Sequence, residues 1–147
     1  TAPTRQRPAV SGPMTAAVTD LPCPCDPARS YRKCCGPHHA SNPARDAETL
    51  MRSRYSAYVM GLEDYLRETW HPETCPEPPI LDPGARPKWL RLKVESHRVI
   101  DHSHAEVRFV ARYLESGGAY RLHELSRFVR ENGRWLYVDG DVITKQD

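Results

Sequence analysis

Four of the five cysteines lie close together in the first quarter of the sequence, in a spacing that is typical of a metal site. Cys23 and Cys25 form one pair, and Cys34 and Cys35 form a second pair after a loop of eight residues. Thiolates suit the tetrahedral coordination of Zn²⁺, and a site with four protein ligands leaves no position for water or substrate. The spacing therefore predicts one structural zinc ion bound by these four cysteines.

Other interpretations of the thiols remain open at the level of sequence. Disulfides and incidental buried thiols are less consistent with an odd number of cysteines, of which two are adjacent. His38 or His39 could replace Cys35 as the fourth ligand, and an iron–sulfur cluster is possible in principle, although the spacing differs from that of ferredoxins. Cys75 lies far from the others in a proline-rich stretch and is expected to be a free thiol.

Two helices are predicted after the cysteine pairs. Asn42 and Asp46 are alternative N-caps for the first helix. Apolar side chains then recur at intervals of three to five residues, which predicts one buried face and leaves Ser53 pointing elsewhere. Gly61 is expected to end this helix, and a second helix is predicted over residues 62 to 70.

The remainder of the sequence is typical of antiparallel sheet. Apolar and charged residues alternate along several segments, as in strands with one buried face. Asn132 and Gly133 form the preferred two-residue hairpin turn. Four strands in a meander are predicted, over about 89 to 100, 105 to 114, 119 to 130 and 134 to 143. The fold class is therefore α+β, with N-terminal helices packed on one face of a curved antiparallel sheet of about four strands.

Length and charge limit the other possibilities. A chain of 147 residues fits one domain with a small appendage, and we expect a flexible tail over 1–20, a zinc knuckle over 21–41 and an α+β domain over 42–147. The net charge of +2 is too small to imply a polyanionic partner by itself. No stretch approaches the roughly 18 apolar residues of a membrane span, so a cytoplasmic protein with no membrane association is expected.

The cysteine spacing resembles a known motif, and the rest of the chain resembles a known family. The CPC and CC pairs are similar to the SEC-C motif found at the C-terminus of the SecA translocation ATPase. Longer runs resemble the YchJ-type bacterial family. These runs are LMRSRYSAYV at 50–59, TWHP at 69–72, ELSRF at 124–128 and WLYVDG at 135–140.

The resemblance implies a cone-shaped domain like nuclear transport factor 2, which agrees with the order of helices and strands. It also implies the zinc-ligand role for the four clustered cysteines. The chain shows two departures. Asp26-Pro27-Ala28 stands where the family commonly has glycine and small residues after the first pair, and no cysteine follows Cys75, whereas some relatives carry a second SEC-C motif near the C-terminus. The resemblance supplies no biochemical activity.

A pocket inside the cone is the second candidate site. Glu124 and Ser126 share a strand face with large apolar groups, and aromatic walls with a few convergent polar groups are typical of small-molecule pockets. We expect Glu124 to pair with an arginine. This arginine comes from the first helix if Arg127 projects from the opposite face of the strand. The candidate pocket residues are Arg52, Arg54, Trp70, His71, Glu124, Ser126, Trp135, Tyr137 and Asp139.

Three functional classes follow from these features. A zinc-binding adapter that docks a protein partner through the knuckle is favoured first, because a closed zinc site does no chemistry. A small-ligand binder or enzyme that uses the cone is second, with no catalytic residue assigned. Single-stranded nucleic-acid binding is third. It is suggested by arginines that lie beside aromatic residues on the strands, namely Arg108, Arg112, Arg121, Arg127, Arg130 and Arg134.

Overall fold

The computed structural model describes residues 21–82, 84 and 86–143. The tail predicted over residues 1–20 lies outside this range. The fold is α+β, as predicted, with a two-stranded hairpin followed by helices and a four-stranded antiparallel sheet. The elements are β1 (Pro22–Cys23), β2 (Asp26–Ser30), a 3-10 helix (Tyr31–Lys33), α1 (Gly36–Ala40), α2 (Ala47–Met60), α3 (Glu63–Glu68), β3 (Lys88–Asp101), β4 (His104–Glu115), β5 (Gly118–Glu131) and β6 (Arg134–Val142).

The large sheet is a meander in which each strand pairs with the next along the chain. The strand bounds agree with the predicted ones to within one residue. Asn132 and Gly133 both have positive φ values, 53° and 75°, as the predicted hairpin turn requires. Register shifts along β3, the first between Trp89 and Arg91, bend the sheet and leave Leu90 49% exposed.

The helix α2 begins and ends at two of the predicted residues. The Asp46 side chain accepts a hydrogen bond from the Thr49 backbone N–H at 2.8 Å, so Asp46 rather than Asn42 is its N-cap. Gly61 ends the helix in the left-handed conformation, with φ 76°. None of the helices in the described part of the chain has both the length and the apolar character needed to cross a bilayer.

The helix α3 is shorter than the predicted span of 62 to 70, because the chain leaves the helix to join the sheet. The Tyr137 N–H donates to the Thr69 carbonyl, and the His71 N–H donates to the Tyr137 carbonyl, both at 2.8 Å. These bonds attach the segment after α3 to β6. Trp70 therefore lies against the sheet rather than on a continuing helix.

Burial on more than one side of α2 differs from the single buried face that the sequence pattern predicts. Ser53 is fully buried, and its hydroxyl lies 2.7 Å from the Tyr65 hydroxyl of α3. Ser56 is also fully buried, and Arg54 is only 5% exposed. The helix is enclosed because the cysteine segment, residues 21–41, packs on one side of it and the sheet packs on another.

The main hydrophobic core extends through the cysteine segment, the helices and the large sheet. One buried cluster contains cysteines from the hairpin and α1 region, side chains of α2 and the inward-facing residues of the sheet. Its members include Cys23, Cys25, Cys35, Leu50, Tyr55, Val107, Phe128 and Trp135. The division of the chain at residue 41 stays a prediction, and the buried cluster extends across it.

Candidate metal centre and cavity

The four clustered cysteines are positioned for a metal ion. Their sulfur atoms all lie within 4.8 Å of one another. Cys25 Sγ is 3.6 Å from Cys23 Sγ, 3.5 Å from Cys34 Sγ and 3.6 Å from Cys35 Sγ. A tetrahedron with metal–sulfur bonds of about 2.3 Å has sulfur–sulfur edges of about 3.8 Å, so the arrangement fits such a site. The separations far exceed the roughly 2.05 Å of a disulfide, and the thiols are free.

Local backbone structure brings the two cysteine pairs together. The β1–β2 hairpin presents Cys23 and Cys25, and it is closed by a hydrogen bond from the Tyr31 N–H to the Leu21 carbonyl at 2.8 Å. Cys34 and Cys35 follow the 3-10 helix directly. Gly36 is required next, because a Cβ there would lie only 2.8 Å from the Tyr31 carbonyl oxygen.

The helix α2 supports the metal centre from its inner side. The Ser56 hydroxyl donates to Cys35 Sγ at 3.2 Å and lies 3.6 Å from Cys23 Sγ. Such contacts orient metal ligands and stabilise their charge. Sequence reasoning missed Ser56, because a serine within an apolar helical pattern does not indicate a partner.

Arg52 belongs to this region rather than to the cavity, which corrects its assignment to the pocket. Its Nε donates to Glu48 Oε2 at 3.0 Å, and its Nη1 lies 3.4 Å from the Cys25 carbonyl oxygen. The residue sits one turn before Ser56 on the same side of α2. A cation at this position would partly offset the negative charge of thiolates.

The proximity of the thiols opposes their simultaneous ionisation. Hydrogen bonding with Cys25 and Cys35 lowers the pKa of Cys23. Hydrogen bonding with Cys23 raises the pKa of both Cys25 and Cys35, and burial raises both pKa values further. A bound cation would offset the repulsion between thiolates that lie this close together.

The alternative ligands lie elsewhere. His39 has one ring nitrogen 2.7 Å from the Tyr31 hydroxyl and the other 2.8 Å from the Ser53 carbonyl oxygen. His38 Nδ1 is 2.9 Å from a backbone carbonyl, that of Asn42. Cys75 is a half-buried free thiol outside the cluster.

A cavity of about 240 Å³ lies between α2 and the concave face of the sheet. The non-aromatic polar side chains of its wall are those of Arg54, Glu124 and Ser126. Six aromatic residues form most of the remaining wall: Tyr55, Tyr58, Trp89, Phe109, Phe128 and Tyr137. Sequence reasoning missed most of the aromatic lining residues. The lining positions 51, 55 and 58 nevertheless have helical spacing, and 109 and 111 alternate along β4.

Arg54 is a buried cation without a carboxylate partner. Its Nη1 donates to the Leu66 carbonyl at 2.8 Å and to Thr69 Oγ1 at 2.7 Å. Its guanidinium carbon lies 4.9 Å from the centre of the Trp70 ring and 4.7 Å from that of Tyr137. No carboxylate of the described residues forms an ion pair with it within 4.0 Å. Burial lowers the pKa of Arg54, because desolvation disfavours its charged form.

Glu124 has hydroxyl partners rather than the arginine partner that the sequence suggested. Its Oε2 accepts hydrogen bonds from the Ser126 hydroxyl at 2.7 Å and the Tyr137 hydroxyl at 3.1 Å. Burial raises the pKa of Tyr137, and the neighbouring carboxylate raises it further. Arg127 points to the opposite face, as expected from strand alternation, and donates to Asp139 at 2.7 Å.

The other predicted pocket residues do not line this cavity. Trp70 lies behind Arg54, with its ring edge-on to Tyr137 at 5.0 Å between centroids. His71 Nε2 is 3.0 Å from Glu131 Oε2. Trp135 is buried in the main core.

A bulge in β6 explains the position of Asp139. Phe128 pairs with Tyr137, whereas Arg127 pairs with Asp139, so Val138 is an extra residue in the strand. The bulge moves Asp139 from the inner face to the outer face, where its side chain is 51% exposed. Simple alternation with Trp135 and Tyr137 does not predict this position.

Arginine and aromatic side chains near the turn between β4 and β5 lie on opposite faces of the sheet. Trp89, Tyr113 and Tyr120 form a row of rings, with centroids 5.0 Å and 5.6 Å apart along the row. Arg112 and Arg121 pair across β4 and β5 next to these residues and therefore point the other way. The two residue types do not form a single stacking groove.

Residues 46–140 match a family described as YchJ_M-like, the YchJ middle NTF2-like domain. The chain belongs to this family. A UPF0225 protein of Cupriavidus pinatubonensis is 52% identical over 133 residues, covering 86% of this chain and 92% of the relative. A UPF0225 protein of Polaromonas naphthalenivorans is 55% identical over 133 residues, covering 82% of this chain and 96% of the relative.

Solved structures similar to this YchJ-family chain carry the motif that its cysteine spacing resembles. One is the solution structure of a SEC-C motif containing protein from Rhodopseudomonas palustris. It has a TM-score of 0.71 and 32% identity, covering 84% of this chain and all of the other. A crystal structure of a SEC-C motif containing protein from Psychrobacter arcticus has a TM-score of 0.66 and 28% identity, covering 89% of this chain and 86% of the other.

Proposed function

We propose that the metal ion bound by the four cysteines is a structural zinc ion. Four sulfur ligands at tetrahedral separations suit zinc, and a filled coordination sphere excludes a catalytic role. Similarity to the SEC-C motif containing proteins supports this assignment. Free thiols in a metal cluster also fit a reducing compartment, and we propose the cytoplasm as the location.

We further propose that the protein binds a small ligand in the cavity beneath α2. The observation that carries this proposal is the placement of Arg54 and Glu124 in the wall of a largely aromatic enclosure. Charged groups are costly in such surroundings unless a partner compensates them, and a bound ligand can be that partner. In this account the zinc ion fixes one side of α2, and the other side of the helix shapes the cavity.

A pair of tryptophan substitutions on β5 tests ligand binding in the cavity. Leu122 lines the cavity, whereas Leu125 points to the opposite face of the same strand. Ligand-observed NMR with a fragment library should detect binding to the wild-type chain. Binding should be lost in Leu122→Trp, which fills the cavity, and retained in Leu125→Trp. Equal binding by the two variants, or no binding to the wild type, would contradict the proposal.

Docking of a protein partner through the cysteine segment is the second candidate function. Leu21 is 54% exposed, and the Arg29 and Lys33 side chains are exposed nearby in the chain. An exposed apolar residue with adjacent cations fits an acidic partner surface. Affinity capture from bacterial lysate should recover the same protein with wild type but not with Arg29→Glu/Lys33→Glu. Identical recovery with both would oppose this candidate.

A further inference from the structure

The cavity wall carries two opposite charges that do not neutralise each other directly. Arg54 directs Nη1 to the Leu66 carbonyl and Thr69 Oγ1, both neutral acceptors. Glu124 accepts hydrogen bonds from neutral hydroxyls, one of which belongs to Tyr137. The Tyr137 ring is also one of the rings that pack against the Arg54 guanidinium. Among the described residues each charge therefore has only neutral partners, and this arrangement is costly above all for Arg54, which is only 5% exposed.

We propose that the cavity binds a small zwitterion built on a single ring, with its carboxylate beside Arg54 and its ammonium group beside Glu124. This inference rests on the proposed ligand-binding function and adds the chemical class of the ligand. A zwitterion compensates both protein charges at once, whereas a molecule with one charge leaves the other desolvated and unpaired. The aromatic walls suit the ring and also attract an ammonium group through cation–π interactions.

The size of the cavity agrees with such a ligand. An apolar protein cavity of about 150 Å³ holds one benzene molecule. The cavity here, at about 240 Å³, has room for a ring with two short substituents. An aromatic amino carboxylic acid has these dimensions.

Four probes of nearly equal size separate the contribution of each charge. They are para-(aminomethyl)benzoate, para-methylbenzoate, para-methylbenzylamine and para-xylene, and each is titrated into the wild-type protein by protein-observed NMR. The meta isomer of the zwitterion is included because it holds its two charges closer together. We expect the better zwitterion isomer to bind about ten-fold more tightly than any of the other three probes.

The outcomes separate the ligand class from the proposed function. If a probe with one charge or no charge binds as tightly as the zwitterion, the ligand class is wrong while ligand binding in the cavity stands. If none of the probes binds, including para-xylene, both the class and the ligand-binding function are contradicted.

Two glutamine variants test the charge directly. Glu124→Gln keeps the size of the side chain and should reduce zwitterion affinity to that of para-methylbenzoate. Arg127→Gln, on the opposite face of β5, should bind the probes as the wild type does. A cooperative thermal unfolding curve serves as the check that each variant is folded. If a variant fails to fold, the comparison of the probes on the wild-type chain still tests the ligand class. A full zwitterion preference in folded Glu124→Gln would overturn the proposal.

Discussion

Arg54 joins three parts of the molecule through one side chain. It extends from α2, donates to the Leu66 carbonyl near the C-terminal end of α3, and packs against the Trp70 and Tyr137 rings. A cation near the C-terminus of a helix also interacts favourably with the helix dipole. The side chain therefore has a structural role as well as its place in the cavity wall.

Replacement of Arg54 by alanine should destabilise the protein by about 3 kcal/mol, because it removes two hydrogen bonds and leaves a void beside two rings. Arg127→Ala is the matched control. That residue makes ion pairs with Asp139 and Asp141 on the exposed face, and such pairs contribute about 1 kcal/mol or less. Chemical denaturation of the two variants gives the comparison. Equal losses of unfolding free energy would contradict the structural role of Arg54.

The helix α2 connects the two candidate sites because different sides of it serve each. Ser56 faces the thiols, whereas Arg54, Tyr55 and Tyr58 face the cavity. The helix begins at its N-cap, Asp46. A change in the first turn of α2 can therefore affect both sites.

The Asp46 cap should contribute about 1 kcal/mol at neutral pH, measured as the difference in unfolding free energy between wild type and Asp46→Ala. Burial opposes ionisation, but the hydrogen bonds from Thr49 outweigh it and lower the pKa of Asp46 below the ordinary value of 3.8. The cap therefore stabilises the fold fully above that value, and its contribution is lost as pH falls through the lowered pKa.

Asp64→Ala is the control for this substitution, since the Asp64 side chain is 90% exposed in the first turn of α3. Its effect on stability should stay within about half a kcal/mol. An Asp46 effect of the same size, or one that does not decrease as the pH is lowered below 3.8, would contradict the capping role.

Elements with local signals could be predicted from the sequence, and those that depend on tertiary contacts could not. Strand alternation and the Asn132-Gly133 turn indicate the meander, because both signals act over a few residues. The burial of Ser53 and Ser56 depends on packing of the cysteine segment against α2, for which the helical pattern contains no signal. Likewise, the bulge at Val138 depends on pairing with β5, so alternation alone assigns Asp139 to the wrong face.

At the scale of the whole molecule, the metal centre belongs to the main core. Cys23, Cys25 and Cys35 are in the same buried cluster as Leu50 of α2 and Val107 of β4. The cysteine spacing suggests an appendage that could unfold separately, but a shared buried cluster couples the two regions. Removal of the metal should therefore affect the sheet as well as the hairpin.

Metal removal by a chelator should lower the midpoint of global thermal unfolding by roughly 10 °C, which corresponds to about 3 kcal/mol for a chain of this size. Near-ultraviolet circular dichroism should report the change, because Trp135 and Tyr55 lie in the shared core. Restoration of the midpoint by added zinc is the control. Loss of structure confined to residues 21–41, with an unchanged midpoint for the remainder, would show that the two regions are independent.

The metal content of matched cysteine variants tests the zinc site directly. We expect elemental analysis of the purified wild-type chain to find about one zinc ion, with four sulfur ligands at about 2.3 Å by X-ray absorption. Cys75→Ser should retain this ion, because Cys75 lies outside the cluster, and Cys25→Ser should lose it, because Cys25 contacts the other three sulfurs. Full zinc content in Cys25→Ser, or a different metal in the wild type, would contradict the zinc site.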